Sequence, residues 1–205
     1  MPRLEQGSDE DLLRLIRAGD EEAFAVLYRR RHRGIYRYAL QMSGSSGIAE
    51  EVVQETFLTL VREPARYDPA RGLVASFLFG VARNHLLRGL ERDRRYLPLE
   101  NSLLDEQPRA VAESATQDPL AKLTRDTEIE SLRQAVLRLP PRYREAVVLC
   151  DMHEMNYADA AELTGCAVGT IRSRLHRARA LLLKKLRGSD RRVSPGASKA
   201  ERCLT

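Results

Sequence analysis

The sequence predicts an all-α protein: two helical domains joined by a flexible acidic linker, the second domain carrying a helix-turn-helix. Three observations lead there. Apolar residues recur at the period of a buried helix face along most of the chain, and no strand-like alternation persists. Between Leu97 and Pro119 that period fades, and the segment holds three prolines, five acids and one Arg, which is the composition of a linker. Tyr157 to Leu186 then gives a short helix, a glycine turn and a long basic helix in succession. The expected organisation is a first domain over 1–96, the linker over 97–119, a second domain over 120–187 and a disordered basic tail over 188–205.

Each element has a local reason. Asp9 to Arg17 reads as a short acidic helix that turns Leu12, Leu13 and Ile16 inward. Glu21 to Met42 follows with Phe24, Leu27, Tyr28, Ile35 and Tyr38 along one face, until Ser43-Gly44-Ser45-Ser46-Gly47 breaks the chain. A third helix, Ala49 to Arg62, buries Val53, Phe57, Leu60 and Val61. It leaves Glu50, Glu51, Gln54 and Glu55 toward its N-terminal end, where carboxylates suit the helix dipole. Pro64 and Pro69 mark a loop before a fourth helix from about Ala75 to Arg94. Helices resume near Leu120, and Glu128 to Leu139 leads into Pro140-Pro141, where a new helix starts with Pro in its first turn. That helix, Tyr143 to Met152, points Val147 and Val148 inward.

The most informative element is the last. Within Val168 to Leu186, Val168, Ile171, Leu175, Ala178 and Leu182 share one narrow arc. Ser173, His176, Arg177 and Lys184 lie on the opposite half, with Arg172 and Arg174 flanking. A helix laid in a DNA major groove needs that division of faces. Ala161 is small where two helices must cross, Gly165 can take positive φ in the turn, and Ile171 can plug the angle between them.

Charge agrees. The net charge is only +5, but Arg172 to Arg192 holds nine Lys or Arg against one acid, whereas Met1 to Tyr28 holds seven acids against three Arg. A concentrated basic patch binds phosphate. No apolar run is long enough for a membrane span and no signal peptide is evident, so the expected location is the cytoplasm, with no membrane insertion. Cys150, Cys166 and Cys203 are too scattered for a disulfide framework. Cys150 and His153 have half a metal-site spacing but no second pair of ligands, so no metal or other cofactor is expected. His32, His85 and His176 have no nearby nucleophile and carboxylate in a relay pattern, which argues against catalysis.

The fourth helix offers a second nucleic-acid surface. Val81 to Tyr96 contains Arg83, Arg88, Arg92, Arg94 and Arg95, with Phe77, Phe79 and Asn84 close by. Rings stack on unpaired bases, an amide reads an edge, and guanidinium groups hold phosphates. Taken alone, Phe77 and Val81 at i, i+4 read equally as core.

Four segments together resemble the extracytoplasmic-function sigma factors of bacterial RNA polymerase: AEEVVQETFLTL (Ala49 to Leu60), FLFGVARN (Phe77 to Asn84), LPPRYREAVVL (Leu139 to Leu149) and YADAAELTGCAVGTIRSRLHRAR (Tyr157 to Arg179). The resemblance covers roughly residues 10–187 and implies a non-enzymatic protein that binds core RNA polymerase and directs it to particular promoters. It implies that Glu51, Gln54 and Glu55 dock on the coiled coil of the polymerase clamp. Phe77, Asn84, Arg88 and Arg92 would act on the melted downstream (−10) element. Thr170, Arg172, Ser173, Arg174, His176 and Arg177 would face the upstream (−35) element as duplex, the same outward face given by the helical wheel. The helices from Leu120 to Leu149 would pack behind the helix-turn-helix and touch the polymerase flap. An anti-sigma protein covering both domains is an expected partner.

Departures from the family pattern are Phe77 where Trp is usual, His176 where an aromatic is often found, and Ile48 where an Asp often precedes the clamp helix, so that Ser45 or Ser46 caps instead. The implied mechanism is a two-handed clamp whose spacing polymerase fixes, with poor promoter binding by the free protein. The alternative is a one-component helix-turn-helix regulator, which would need a ligand or dimerisation domain in residues 1–96 and would bind duplex DNA unaided.

Overall fold

The computed structural model describes residues 2–96 and 121–190. The linker expected over 97–119 and the part of the expected tail beyond Asp190 lie outside the described residues.

Every described element is a helix. A one-turn helix, α1 (Pro2–Glu5), precedes α2 (Asp9–Arg17), α3 (Glu21–Ser43) and α4 (Ser46–Arg62). Two 3-10 turns, Pro64–Arg66 and Pro69–Arg71, lead into α5 (Val74–Tyr96). The second domain comprises α6 (Ala121–Leu137), α7 (Pro141–Val147) with a π-helical turn Val148–Met152, then α8 (Tyr157–Thr164) and α9 (Val168–Asp190).

Side-chain caps fix the helix starts. Ser8, Asp20 and Asn156 accept hydrogen bonds from the backbone N–H of Asp11, Ala23 and Asp159. Ser45 does the same for Ile48, so α4 begins at Ser46, three residues before the expected Ala49. Gly44 ends α3 in the left-handed region at φ +73°.

In the first domain α3, α4 and α5 pack on one another and α2 closes the end of α3. Leu12, Leu13, Leu27, Ile35, Tyr38, Phe57, Leu60, Leu78 and Leu86 fill the core. Asp9 is buried with them, held by Arg30 at 2.6 Å and by the Nε of Arg31 at 2.5 Å. Two residues expected inside are not: Val61 is 50% exposed and Tyr28 37% exposed. Both border a groove between α3 and α4, so their period marks an unfilled face.

In the second domain α7 and α8 both pack on α9. The helix expected over Tyr143 to Met152 starts earlier, with Pro140 as cap and Pro141 in the first turn, and widens after Val147 into the π turn. There the N–H of His153 reaches the carbonyl of Val148. Helix α6 begins at Ala121, where helices were expected to resume, and stops at Leu137, two residues before the expected Leu139. Helix α9 continues through Asp190, so residues 188–190 are helical and not part of a tail. No proline interrupts the chain there before Pro195.

The two domains touch. Helix α6 and the π turn lie on α3, and α8 lies on α5.

Candidate functional site

The helix-turn-helix forms as its residues dictate. Ala161 is 3% exposed and Ile171 fully buried at the crossing of α8 and α9. Gly165 ends α8 at φ +67°, a backbone state that a side chain would strain. With Ile171, Leu175 and Ala178 anchored inward, Arg172, Ser173, His176 and Arg177 are all exposed on the opposite side. Thr170 and Arg174 are half-buried. The Nη1 of Arg174 turns back toward Cys166 Sγ at 3.7 Å, so this residue flanks the face and does not stand in its centre.

Two tyrosines pre-set the arginines. The guanidinium of Arg172 lies over the ring of Tyr157, 5.9 Å from its centroid. Arg177 hydrogen-bonds the hydroxyl of Tyr143, which holds that phenol below its ordinary range. Further along, Arg179 donates both arms to Asp151 at 2.7 and 3.0 Å, tying α9 to the π turn and raising the guanidinium pKa. These contacts link residues 15 or more positions apart, beyond the reach of any local pattern.

On the first domain, Asn84 and Phe77 lie together on α5 and line a cleft of about 310 Å³. Asn84 is exposed. Phe77 is half-buried, set edge-on against Tyr67 at 5.6 Å between ring centres. The core reading of Phe77 and the cleft-facing one thus describe two sides of one ring. Tyr67, buried and donating to the carbonyl of Gly72 at 2.9 Å, and Arg66 complete this wall. Asp159, Glu162 and Leu163 of α8 form the opposite wall.

Arg88 and Arg92 are exposed further along α5 and do not line the cleft. Arg92 donates to both oxygens of Glu51, at 2.9 and 2.5 Å, and this contact lowers the Glu51 carboxyl pKa. The three residues expected to meet polymerase therefore split. Glu51 and Glu55 turn toward α5, around His85, whose pKa burial lowers and whose ring lies 3.1 Å from Thr59 Oγ1. Gln54 is exposed at the edge of the α3–α4 groove. That groove is about 1070 Å³, with Phe24, Tyr28, Phe57 and Val61 on its apolar floor and Arg33 and Arg37 on one rim.

Among the described residues no cluster of three or more metal-ligating side chains is gathered, and no helix is long and apolar enough to cross a membrane. His153 spends its Nε2 on Gln41 Oε1 of α3, at 3.2 Å.

Comparison with known proteins places this geometry. Residues 27–96 match Sigma-70 region 2 and residues 129–182 match Sigma-70, region 4. The chain is 36% identical over 182 residues to the ECF RNA polymerase sigma factor SigM of Mycobacterium tuberculosis, covering 87% of this chain and 85% of that one. It is 35% identical over 145 residues to the ECF RNA polymerase sigma factor EcfG of Rhodopseudomonas palustris, covering 71% and 75%. In fold it resembles CnrH, solved with the cytosolic domain of CnrY, at a TM-score of 0.64 and 22% identity over 89% of this chain and 99% of that one. It also resembles the sigma factor RpoE of Bartonella quintana, solved with the anti-sigma factor NepR, at 0.61 and 24% over 76% and 91%.

Proposed function

The chain belongs to the extracytoplasmic-function sigma factors of RNA polymerase, and on that premise we propose how its two domains divide promoter recognition. The protein binds core RNA polymerase and directs transcription initiation at particular promoters. Residues 1–96 act as the domain that meets the polymerase clamp and the melted −10 strand; residues 120–187 act as the domain that reads the −35 duplex.

The observation that carries this division is the pairing of two unlike surfaces. Helix α9 presents an exposed, basic, convex face of the size a major groove admits. Helix α5 presents an amide, Asn84, beside an aromatic ring in a cleft, which suits a base removed from its stack. Duplex reading falls to Arg172, Ser173, His176 and Arg177, with Thr170 and Arg174 flanking. Base capture falls to Asn84 and Phe77, with Arg88 and Arg92 along the strand path. Gln54 at the apolar α3–α4 groove, with Glu51 and Glu55 beside it, supports this end as the clamp contact.

The protein works by binding alone, without catalysis, in the cytoplasm where polymerase is. Relatives of this fold solved with an anti-sigma factor make such an inhibitor an expected partner.

Transcription in vitro with sigma-free core polymerase on a promoter library tests the assignment. Promoter-specific transcripts that depend on this protein are expected. Unaided, tight duplex binding with no transcripts would instead make it a one-component regulator.

A further inference from the structure

The loop that enters α5 ends in a large apolar side chain held out in water. Leu73 is 62% exposed, more than any other large apolar side chain among the described residues. Scattered single leucines on a surface are ordinary, but this one stands between two anchors. Val74, the next residue, is fully buried, and Tyr67, at the other end of the loop, is buried as well.

The loop between them is tied at several points. Tyr67 Oη donates to the carbonyl of Gly72 at 2.9 Å, and Asp68 Oδ1 accepts from the N–H of Ala70 at 2.9 Å. Arg17 of α2 adds two more ties, donating through Nε to the carbonyl of Pro64 at 3.0 Å and through Nη2 to that of Tyr67 at 2.7 Å. Gly72 turns the chain at φ +127°, where a side chain would be strained. These contacts fix a backbone whose next side chain, that of Leu73, is mostly in solvent.

Leu73 is also in register with the α5 cleft. Its carbonyl accepts from the N–H of Phe77 at 3.1 Å, so it opens the helical turn that carries Phe77. Leu73, Phe77, Gly80 and Asn84 follow one another at helical spacing on one stripe, and all four line the cleft. Gly80 leaves bare backbone between the ring and the amide, where a Cβ would meet no atom within 4 Å. The stripe thus runs from an exposed leucine, through an aromatic ring and a flat stretch, to a hydrogen-bonding amide. At about 1.5 Å per residue, Leu73 lies about 16 Å along the axis from Asn84, too far to touch the base that Asn84 would hold.

An apolar side chain on a rigid support can help to open a duplex. Inserted at a base step, it covers the faces that lose their stacking partner and so lowers the cost of parting them. Capture by Phe77 and Asn84 acts on a base already out of its stack. Leu73 is placed to act on a step that is still stacked.

We infer that Leu73 is the wedge of this domain: it enters a base step at the edge of the melted segment and eases opening, while Phe77 and Asn84 hold the base once it is out. The inference rests on the assignment of the α5 cleft to the melted strand.

The test uses holoenzyme assembled from the full chain and core polymerase, on a promoter that the unaltered holoenzyme transcribes. The promoter is prepared twice, as a complete duplex and with its −10 element already unpaired by mismatches. Fluorescence of 2-aminopurine placed in the −10 element follows opening of the duplex, and run-off transcripts are measured on both templates. Leu73→Ser should slow opening of the duplex by about tenfold and leave transcription from the unpaired template unchanged. Leu73→Met, which keeps the apolar contact, should open the duplex at close to the unaltered rate. Asn84→Ala should lose transcripts on both templates. Because Leu73 is exposed, Leu73→Ser should fold and bind core polymerase as the unaltered protein does.

The wedge is refuted if Leu73→Ser opens the duplex at the unaltered rate, if it loses equally on both templates, or if Leu73→Met fails as Leu73→Ser does. Those outcomes, with Asn84→Ala still losing on both templates, leave the assignment of the cleft intact. An Asn84→Ala variant fully active on both would overturn that assignment and the wedge with it.

Discussion

Glu51 of α4 and Arg92 of α5, 41 positions apart in sequence, form a two-armed ion pair at 2.9 and 2.5 Å. One was expected to meet polymerase and the other DNA. Each fixes the other's direction, so α4 and α5 are joined at this point.

The pair is about half-exposed on both sides, so its contribution to stability should be small, about 0.2–1 kcal/mol. Its effect on binding should be coupled. Arg92→Ala and Glu51→Ala are each expected to weaken core-polymerase binding, and the double variant to be less than additive. Titration of labelled protein with core enzyme measures this. Strict additivity would mean that Arg92 serves DNA independently.

On the upstream side, Arg177→Ala should weaken binding of holoenzyme to the −35 element by about 1–3 kcal/mol if the guanidinium reaches a base. Tyr143→Phe removes the hydroxyl that orients Arg177 but keeps the ring, so it should give a smaller loss of the same sequence dependence. Promoter variants at single −35 positions check both. An equal loss on every upstream sequence would reassign Arg177 to a phosphate.

The helices and the exposed basic face of α9 were legible because both follow from local periods. Ile171, Leu175 and Ala178 share one side of a helix by spacing alone, and their burial leaves Arg172, Ser173, His176 and Arg177 outward. The wheel sets Arg174 at the flank of that face, where the structure has it, but it cannot show the side chain turning back to Cys166. Val61 and Tyr28 fit an apolar face equally well whether it is filled or left as a groove, and the structure leaves it open. The Arg83–Glu145 pair, 62 positions apart, has no sequence signal at all.

The joint between α8 and α9 depends on two residues that act differently. Ile171→Ala removes a fully buried side chain from the crossing and should cost about 2–5 kcal/mol. Gly165→Ala meets no neighbouring atom, so its cost is purely the left-handed backbone, about 1–2 kcal/mol. Thermal unfolding should rank the two in that order. If Gly165→Ala proved as damaging as Ile171→Ala, the turn would have to pack against something the described residues do not include.

Acid should loosen the protein through His153. Burial, together with the Arg37 guanidinium, holds its pKa down to about 4 from an ordinary 6.5. The native state thus keeps the ring neutral where the unfolded chain binds a proton. Its contribution is fully present above about pH 6.5 and is lost as pH falls from there toward 4. The slope is at most about 1.4 kcal/mol per pH unit, or roughly 2–4 °C in Tm for each kcal/mol. Asp11 and Glu51, whose carboxyl pKa values are lowered by Ser8 and Arg92, give up their contributions only at lower pH. His85 shares the window, because burial lowers it too, so the measurement is a difference. His153→Gln retains an N–H donor for Gln41 but cannot titrate, and its Tm should fall less than that of the unaltered protein between pH 6.5 and 5. Parallel curves would show that His153 binds protons alike in the folded and the unfolded chain, so that burial does not lower its pKa.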